Sequence, residues 1–333
     1  MAVTSLQPRP IATEQDPRVR PVDFWRDGQS VASLLELCFQ HEGIDDSGHR
    51  LIHTLRNYGI TQSWMMQGSL GFVWIEEGQV LGNASIQRNV TRRDTWIIGN
   101  VATHPDHRGR GIATAVTDAC IQLALRRGAR NVALQVVANN VPAQRMYRTL
   151  GFQTIGEVIH YHRAPMRTSP ITAPLQTHGA RRQITNLRSA TWRDKQEIWR
   201  LASHNTPESL TYSEPYDASL YRLGLRWSFT NSLNGNPEKW WVAEGASGLL
   251  GAVRTRVNFD TSEHHLELML QHADDTQTAC DLVCTGLRRF EDYITKPIYA
   301  AQSHPHEATH AALEQTGFKP NRHLIHMRLA GRP

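Results

Sequence analysis

The chain is short of cysteine, of lysine and of long apolar runs, and each shortage removes a class of protein. Cys38, Cys120, Cys280 and Cys284 are the four cysteines in 333 residues. They are too few and too irregularly spaced for the disulfide framework of a small secreted domain, and reduced thiols are expected. No apolar run reaches the roughly 18 residues that a membrane span needs. The first stretch, MAVTSLQPRPIATEQDP, lacks the apolar middle of a secretory signal. A cytoplasmic protein with no membrane partner is expected. Lysine stands only at Lys195, Lys239, Lys296 and Lys319, so arginine carries the formal net charge of +5. No block of consecutive basic residues forms a tail, and no nucleic-acid module is found. A modest positive balance helps recruit an anionic ligand that bears phosphate.

What is present suffices for two domains. The length gives a soft prior of two, and 40% apolar residues can fill a core in each. After a polar tail (1–20), VRPVDFW reads as a short strand. Gln29 to Gln40 reads as a helix with Val31, Leu34, Leu35 and Cys38 on one stripe, and a second, weaker helix follows. LGFVWIEEGQVLGNASIQRNV supplies two strands joined at EEG, and TWIIGNVATHP a third that proline ends. From Gly111 the period becomes helical, with Ile112, Val116, Ala119, Cys120 and Leu123 aligned and RRG closing the helix. NVALQVV is a buried-type strand, NNVPAQRMYRTLG a short helix between Asn and Gly, and FQTIGEVIHYHRA a closing strand pair. The pattern predicts a mixed α/β domain over 21–167.

A linker rich in Pro and Thr follows at 168–183, and residues 184–333 repeat the plan. WRD recurs near residues 25 and 192, GLLGAVRTRVNF echoes QVLGNASIQRNV, GLRRF echoes ALRRG, and HAALEQTGF echoes AQRMYRTLGF. Markers in one order at a nearly constant offset indicate duplication of one domain.

Residues 104–116, HPDHRGRGIATAV, put two glycines and two arginines just before a helix. The turn from Arg108 to Thr114 presents successive backbone N–H groups at the positive end of that helix, which suits a pyrophosphate. Gly109 and Gly111 let the backbone approach, and Arg108 and Arg110 add charge. A P-loop needs Lys then Ser or Thr after its last Gly, where this chain has Ile112 and Ala113. A dinucleotide fingerprint needs a small residue where Thr114 stands.

The segments NVATHPDHRGRGIATAVTDACIQLA and NNVPAQRMYRTLGF together resemble the acyl-CoA-binding core of the GNAT superfamily, the GCN5-related N-acetyltransferases. Arg108, Gly111 and Ala113 match the family's Q/R-x-x-G-x-G/A pyrophosphate motif, and Asn140, Ala143 and Tyr147 its N-x-x-A-x-x-x-Y pattern. The resemblance covers about residues 20 to 166; the second half matches in layout but not in motif. It implies an α/β fold of two tandem GNAT-like domains, with acetyl-CoA as co-substrate and no metal. The acceptor would be an amine of a small molecule, peptide or protein, which attacks directly. Cofactor contacts would come from Arg108, Gly109, Arg110, Gly111, Ile112, Ala113 and Thr114. Main-chain groups of Val101, Ala102 and Thr103 would meet the pantetheine arm where their strand splays from NVALQVV. Asn140 would bond the arm or cap its helix, and Tyr147 would be the general acid or an aromatic packed under the cofactor.

No general base is assigned. Many relatives place a Glu roughly where this chain has Asn100, which cannot take a proton. Glu36, His41, Glu42, Asp45, Asp46 and His53, in the helical region that walls the acceptor site in relatives, could serve directly or through water, and solvated surface is the preferred reading of each. The second half has no glycine between Gly251 and Gly286 and has Leu313 at the place of Tyr147, so it reads as a degenerate copy. Its HEATH segment satisfies the zinc-hydrolase pattern through His306, Glu307 and His310. That activity, and a non-catalytic acyl-CoA-binding module, are the competing readings. Cys280 with Cys284, and Trp240 with Trp241, read as packing. A monomer or a homodimer is compatible with the sequence.

Overall fold

The structure, a computed structural model, describes residues 16–39, 69–165, 184–213, 221, 223, 237–259, 263–303 and 306–331. The weaker second helix, the linker and His41, Glu42, Asp45, Asp46 and His53 lie outside the described residues. Two compact units form. One holds, of the described residues, 16–155, 212–213 and 325–331; the other holds 156–211 and those from 221 to 324.

In the first unit β1 (Val19–Pro21), β2 (Ser69–Glu76), β3 (Gln79–Arg88) and β4 (Thr95–Thr103) pair antiparallel in that order, and β5 (Asn131–Val137) runs parallel to β4. Glu77 and Gly78 join β2 to β3 with φ of 50° and 78°. Left-handed conformation at both turn residues matches the twist of the paired strands. Helices cover both faces. On one, α2 (Ile112–Arg126) and α3 (Val141–Thr149) bury Ile112, Val116, Cys120 and Tyr147 against Phe72, Trp74 and Leu134. On the other, α1 (Phe24–Phe39) buries Val31, Ala32, Leu34 and Leu35 against Val73 and Ala102. Alternation along each strand divides the two cores. Helix α1 begins five residues before the expected Gln29, because Asp23 accepts from the backbone N–H of Trp25 at 3.0 Å and caps the earlier turn.

The second unit repeats the element order. It contains β7 (Asn186–Ser189), α4 (Lys195–Asn205), β8 (Glu238–Gly245), β9 (Gly248–Arg256), β10 (His264–Leu270), α5 (Thr276–Phe290), β11 (Ile298–Ser303) and α6 (Glu307–Gln315). Strands β7 to β10 pair antiparallel in turn and β11 runs parallel to β10. Trp240 is buried in a core with Ile198 and Val242, and Cys280 in another with Leu282 and Leu313, as packing readings require.

The closing strands differ from a simple cut at the linker. FQTIGEVIHYHRA, expected as a strand pair, is the single strand β6 (Gln153–Arg163). Gly156, its one turn-permissive residue, lies instead beneath Leu210, where a Cβ would meet Cδ2 at 2.6 Å. Residues 158–163 of β6 pair antiparallel with β11, and Tyr161 enters the second unit's core. The last strand, β12 (Lys319–Ala330), sends Ile325 and Met327 into the first unit's core beside Leu134 and Val136. Each unit is completed by a strand from the other half of the sequence. No described helix is long and apolar enough to cross a membrane.

Candidate active site

The loop after β4 is built to leave amides bare. Pro105–His107 makes one 3-10 turn, and the chain then passes through Gly109 at φ 78° and Gly111 at φ 81° before α2 starts. Gly111 occupies the N-cap position without a side chain to fill it, so no cap bond forms at this helix. Among the described residues no backbone acceptor engages the amides from Gly109 to Thr114. Gly109, Gly111 and Thr114 are exposed, Ala113 is half-buried, and buried Ile112 anchors the helix. A Cβ at Gly82 on β3 would lie 2.3 Å from Ile112 Cγ2, so a residue without a side chain seats the loop on the sheet. Orphan N–H groups and the helix dipole then point at one place, which is what an anion requires.

The loop's two arginines are not equivalent. Arg108 is exposed. Arg110, expected as loop charge, instead spans to Glu76 at 2.7 and 3.0 Å and to His107 Nδ1 at 2.7 Å. Hydrogen bonds from Arg110 and then Trp74 hold the Glu76 carboxyl below its usual range.

The strand before the loop separates from its neighbour. Pairing of β4 with β5 stops at Ile98 and Leu134, although β4 continues to Thr103 and β5 to Val137. At that level β4 holds an extra residue: Asn83 faces Ala102 while Ser85 faces Gly99. Asn100 takes φ 52° to absorb it. Such a bulge leaves main-chain groups unpaired and re-aims them. Three hydrogen bonds fix it. Asn83 Nδ2 donates to Asn100 O, Ser85 Oγ to Gly99 O, and Asn100 Nδ2 to Ser85 Oγ, each at 2.9 Å. Of the predicted main-chain contributors, Val101 and Thr103 are half-buried and Ala102 is buried against α1. Sequence reading took GNASIQ for a plain strand and missed Asn83 and Ser85; two polar residues inside an otherwise apolar run were the signal.

The downstream pair sits on α3. Asn140 is the N-cap, its Oδ1 accepting from the amide of Ala143 at 3.2 Å, which leaves Nδ2 for another partner. Tyr147 is buried, its ring edge-on to Phe152 at 5.9 Å. Burial, and secondarily Cys120, raises its phenol's pKa, so the hydroxyl stays protonated at neutral pH.

In the second unit the same places are filled from within. Asp275 caps α5, its carboxylate accepting from the amide of Thr278 at 3.2 Å and from its hydroxyl at 2.8 Å. Strand β10 pairs with β9 in unbroken register from His265 to Leu270, without a bulge. Asn205 bonds both the N–H and the C=O of Leu270. Leu313, at the place of Tyr147, is core. His306 and His310 flank the first turn of α6, and His310 Nδ1 lies 2.7 Å from the Tyr161 hydroxyl. Among the described residues no group of three or more His, Cys, Asp or Glu could hold a metal.

The family model described as the acetyltransferase (GNAT) family matches residues 29–152. An uncharacterised N-acetyltransferase of Methanocaldococcus jannaschii is 40% identical over 65 residues, which is 20% of this chain and 29% of that protein. The chain spans about a third of the length of the first curated relatives it matches. A GCN5-related N-acetyltransferase from Sphaerobacter thermophilus superposes with a TM-score of 0.61 at 14% identity, over 96% of this chain and 98% of that one. A tandem GNAT protein from the clavulanic acid biosynthesis pathway gives 0.56 at 14% identity, over 95% and 98%. At such identities the likeness speaks for the fold, and it extends over both halves. Residues 29–152 thus match the acetyltransferase (GNAT) family, and both halves of the chain carry the fold of the tandem GNAT structures.

Proposed function

We propose that the protein is an N-acetyltransferase that moves an acetyl group from acetyl-CoA to an amine by direct attack, using the first unit alone. The observation that carries this reading is the uncapped start of α2, with its left-handed glycines and free amides, beside the bulged strand that parts from β5. Amides of Gly109 to Thr114 hold the diphosphate, with Arg108 supplying charge. Main-chain groups of Val101 to Thr103 on the side away from β3, where pairing with β5 has ended, receive the arm and polarise the carbonyl, where preorganised donors act most strongly. Acetyl-CoA supplies the activated acyl group. Tyr147, kept protonated by burial, donates to the leaving sulfur. Asn140 uses Nδ2 toward the arm while its Oδ1 caps α3.

The acceptor is a primary amine of a small molecule or a peptide. A panel of amines, amino acids and peptide N-termini, read by release of free thiol from acetyl-CoA, tests the reading. Turnover that requires an amine supports it; tight binding of acetyl-CoA with no turnover on any acceptor overturns the enzymatic part.

A further inference from the structure

Arg110 stands between the two left-handed glycines of the loop before α2, at φ 78° and 81°, where the backbone has most freedom to lose on ordering. Its guanidinium is held at both ends. Nη2 donates to the two oxygens of Glu76 at 2.7 and 3.0 Å, and Nη1 reaches His107 Nδ1 at 2.7 Å. A guanidinium only donates, so this imidazole nitrogen is the acceptor. His107 ends the 3-10 turn that Pro105 opens. Glu76 is the last residue of β2, and alternation puts it on the same face as Trp74. Trp74 is buried in the core under α2, and its Nε1 donates to Glu76 Oε2 at 3.3 Å. A second cation, Arg18, lies over the Trp74 ring at 4.2 Å and pairs with Asp16. The contacts thus run from the core through Trp74 and Glu76 to the one side chain between the two glycines. Every member lies in the first unit.

Charge alone would make Glu76 a liability, because a carboxylate bonded to this loop repels a diphosphate seated on it. The geometry gives it another use. We propose that Glu76 is a positioning residue for acetyl-CoA: through Arg110 it holds the turn from Gly109 to Gly111 in its binding conformation before the diphosphate arrives. This rests on the N-acetyltransferase reading above. Without the anchor the two glycines sample left- and right-handed conformations, and that freedom has to be lost each time the ligand binds. With the anchor it is lost once, on folding, and the amides are already aligned. Exposed Arg108 then serves as the cation for the ligand, and Arg110 as the fastener of the loop.

Repulsion and positioning predict opposite signs. Calorimetric titration of acetyl-CoA into the full chain, Glu76→Gln, Arg110→Gln and the double variant separates them. Glu76→Gln keeps the size of the side chain and an acceptor for Trp74 and removes the charge. It is expected to weaken binding by about three- to fivefold, the scale of one well-placed, partly exposed ion pair. With the primary amine that releases thiol fastest in the panel, KM for acetyl-CoA is expected to rise in step while kcat stays within about twofold. A residue that merely supported the fold would lower kcat and Tm as well. Arg110→Gln is expected to weaken binding too, and the double variant to bind no more weakly than Arg110→Gln alone, because both substitutions break one contact. Unchanged or tighter binding by Glu76→Gln, or a loss in the double variant equal to the product of the two single losses, overturns the proposal. Nitrogen-15 relaxation of Gly109 and Gly111 in the ligand-free chain reads the same claim without an acceptor or a Glu76 variant. Their order parameters are expected to fall in Arg110→Gln, and unchanged values overturn the proposal. Failure of the native chain to bind acetyl-CoA overturns the underlying reading instead.

Discussion

At Gly111 a missing side chain decides what the site can do. A left-handed residue other than glycine costs about 1 kcal/mol, yet nothing stands within 4 Å of a Cβ there. Steric conflict therefore cannot explain a functional loss. Gly111→Asp would give α2 the capping carboxylate that Asp275 gives α5, placing a negative charge where the diphosphate belongs. Acetyl-CoA affinity should fall by tenfold or more with only a small drop in Tm, measured by calorimetry and thermal melting. Tyr147→Phe should lower kcat at saturating acetyl-CoA while leaving Kd unchanged, because only the proton is removed. The glycine turn before α2 and the place of Tyr147 on the helix that Asn140 caps were legible in the sequence because glycine pairs and the N-x-x-A-x-x-x-Y spacing are local patterns. Asn83 and Ser85 were not, since their role depends on a bulge in the neighbouring strand. Arg110 was legible as a charge but not as the partner of Glu76, which lies 34 residues earlier.

Among the elements, the helix starts differ most between the two halves. Gly82 lets β3 lie against the first turn of α2. Gly82→Ala is expected to push Ile112 away, shift the helix start and weaken acetyl-CoA binding, which a Kd measurement checks. In the second unit the element before α4 is held by charge. Arg188 bonds Asp194 at 2.7 and 2.8 Å, and the Thr191 amide donates to the same carboxylate. These contacts, Arg188 foremost, lower the Asp194 pKa to about 2. A depressed acid stabilises the folded state fully above its unfolded pKa of about 3.9 and loses that contribution as pH falls toward the folded value. Between about pH 4 and pH 2 the second unit should lose on the order of 2 kcal/mol from this group. Acid melts of Asp194→Asn should show a smaller pH dependence in that window. Helix periods and turn residues made most elements readable. The start of α1 was misplaced because Asp23 caps a turn that carries no apolar stripe.

For the whole molecule, the order of the chain and the order of the fold part company at the closing strands. Duplication was visible in the sequence because equivalent markers recur in order. The exchange of strands was not, because β6 and β12 carry similar alternation and either satisfies a sheet edge. A chain ending at Leu324 lacks Ile325 and Met327, buried side chains whose loss costs about 2–5 kcal/mol each in a packed core. That truncation should unfold or loosen the first unit and abolish acetyl-CoA binding, although the deletion lies far outside residues 29–152. Limited proteolysis with and without acetyl-CoA would read it.

Isothermal titration of acetyl-CoA into the intact chain is the most direct measurement. Bare amides at the start of α2, set against a start of α5 already occupied by Asp275, predict one site per chain that Gly111→Asp weakens at least tenfold. No heat, two equal sites, or undiminished binding by that variant would contradict it.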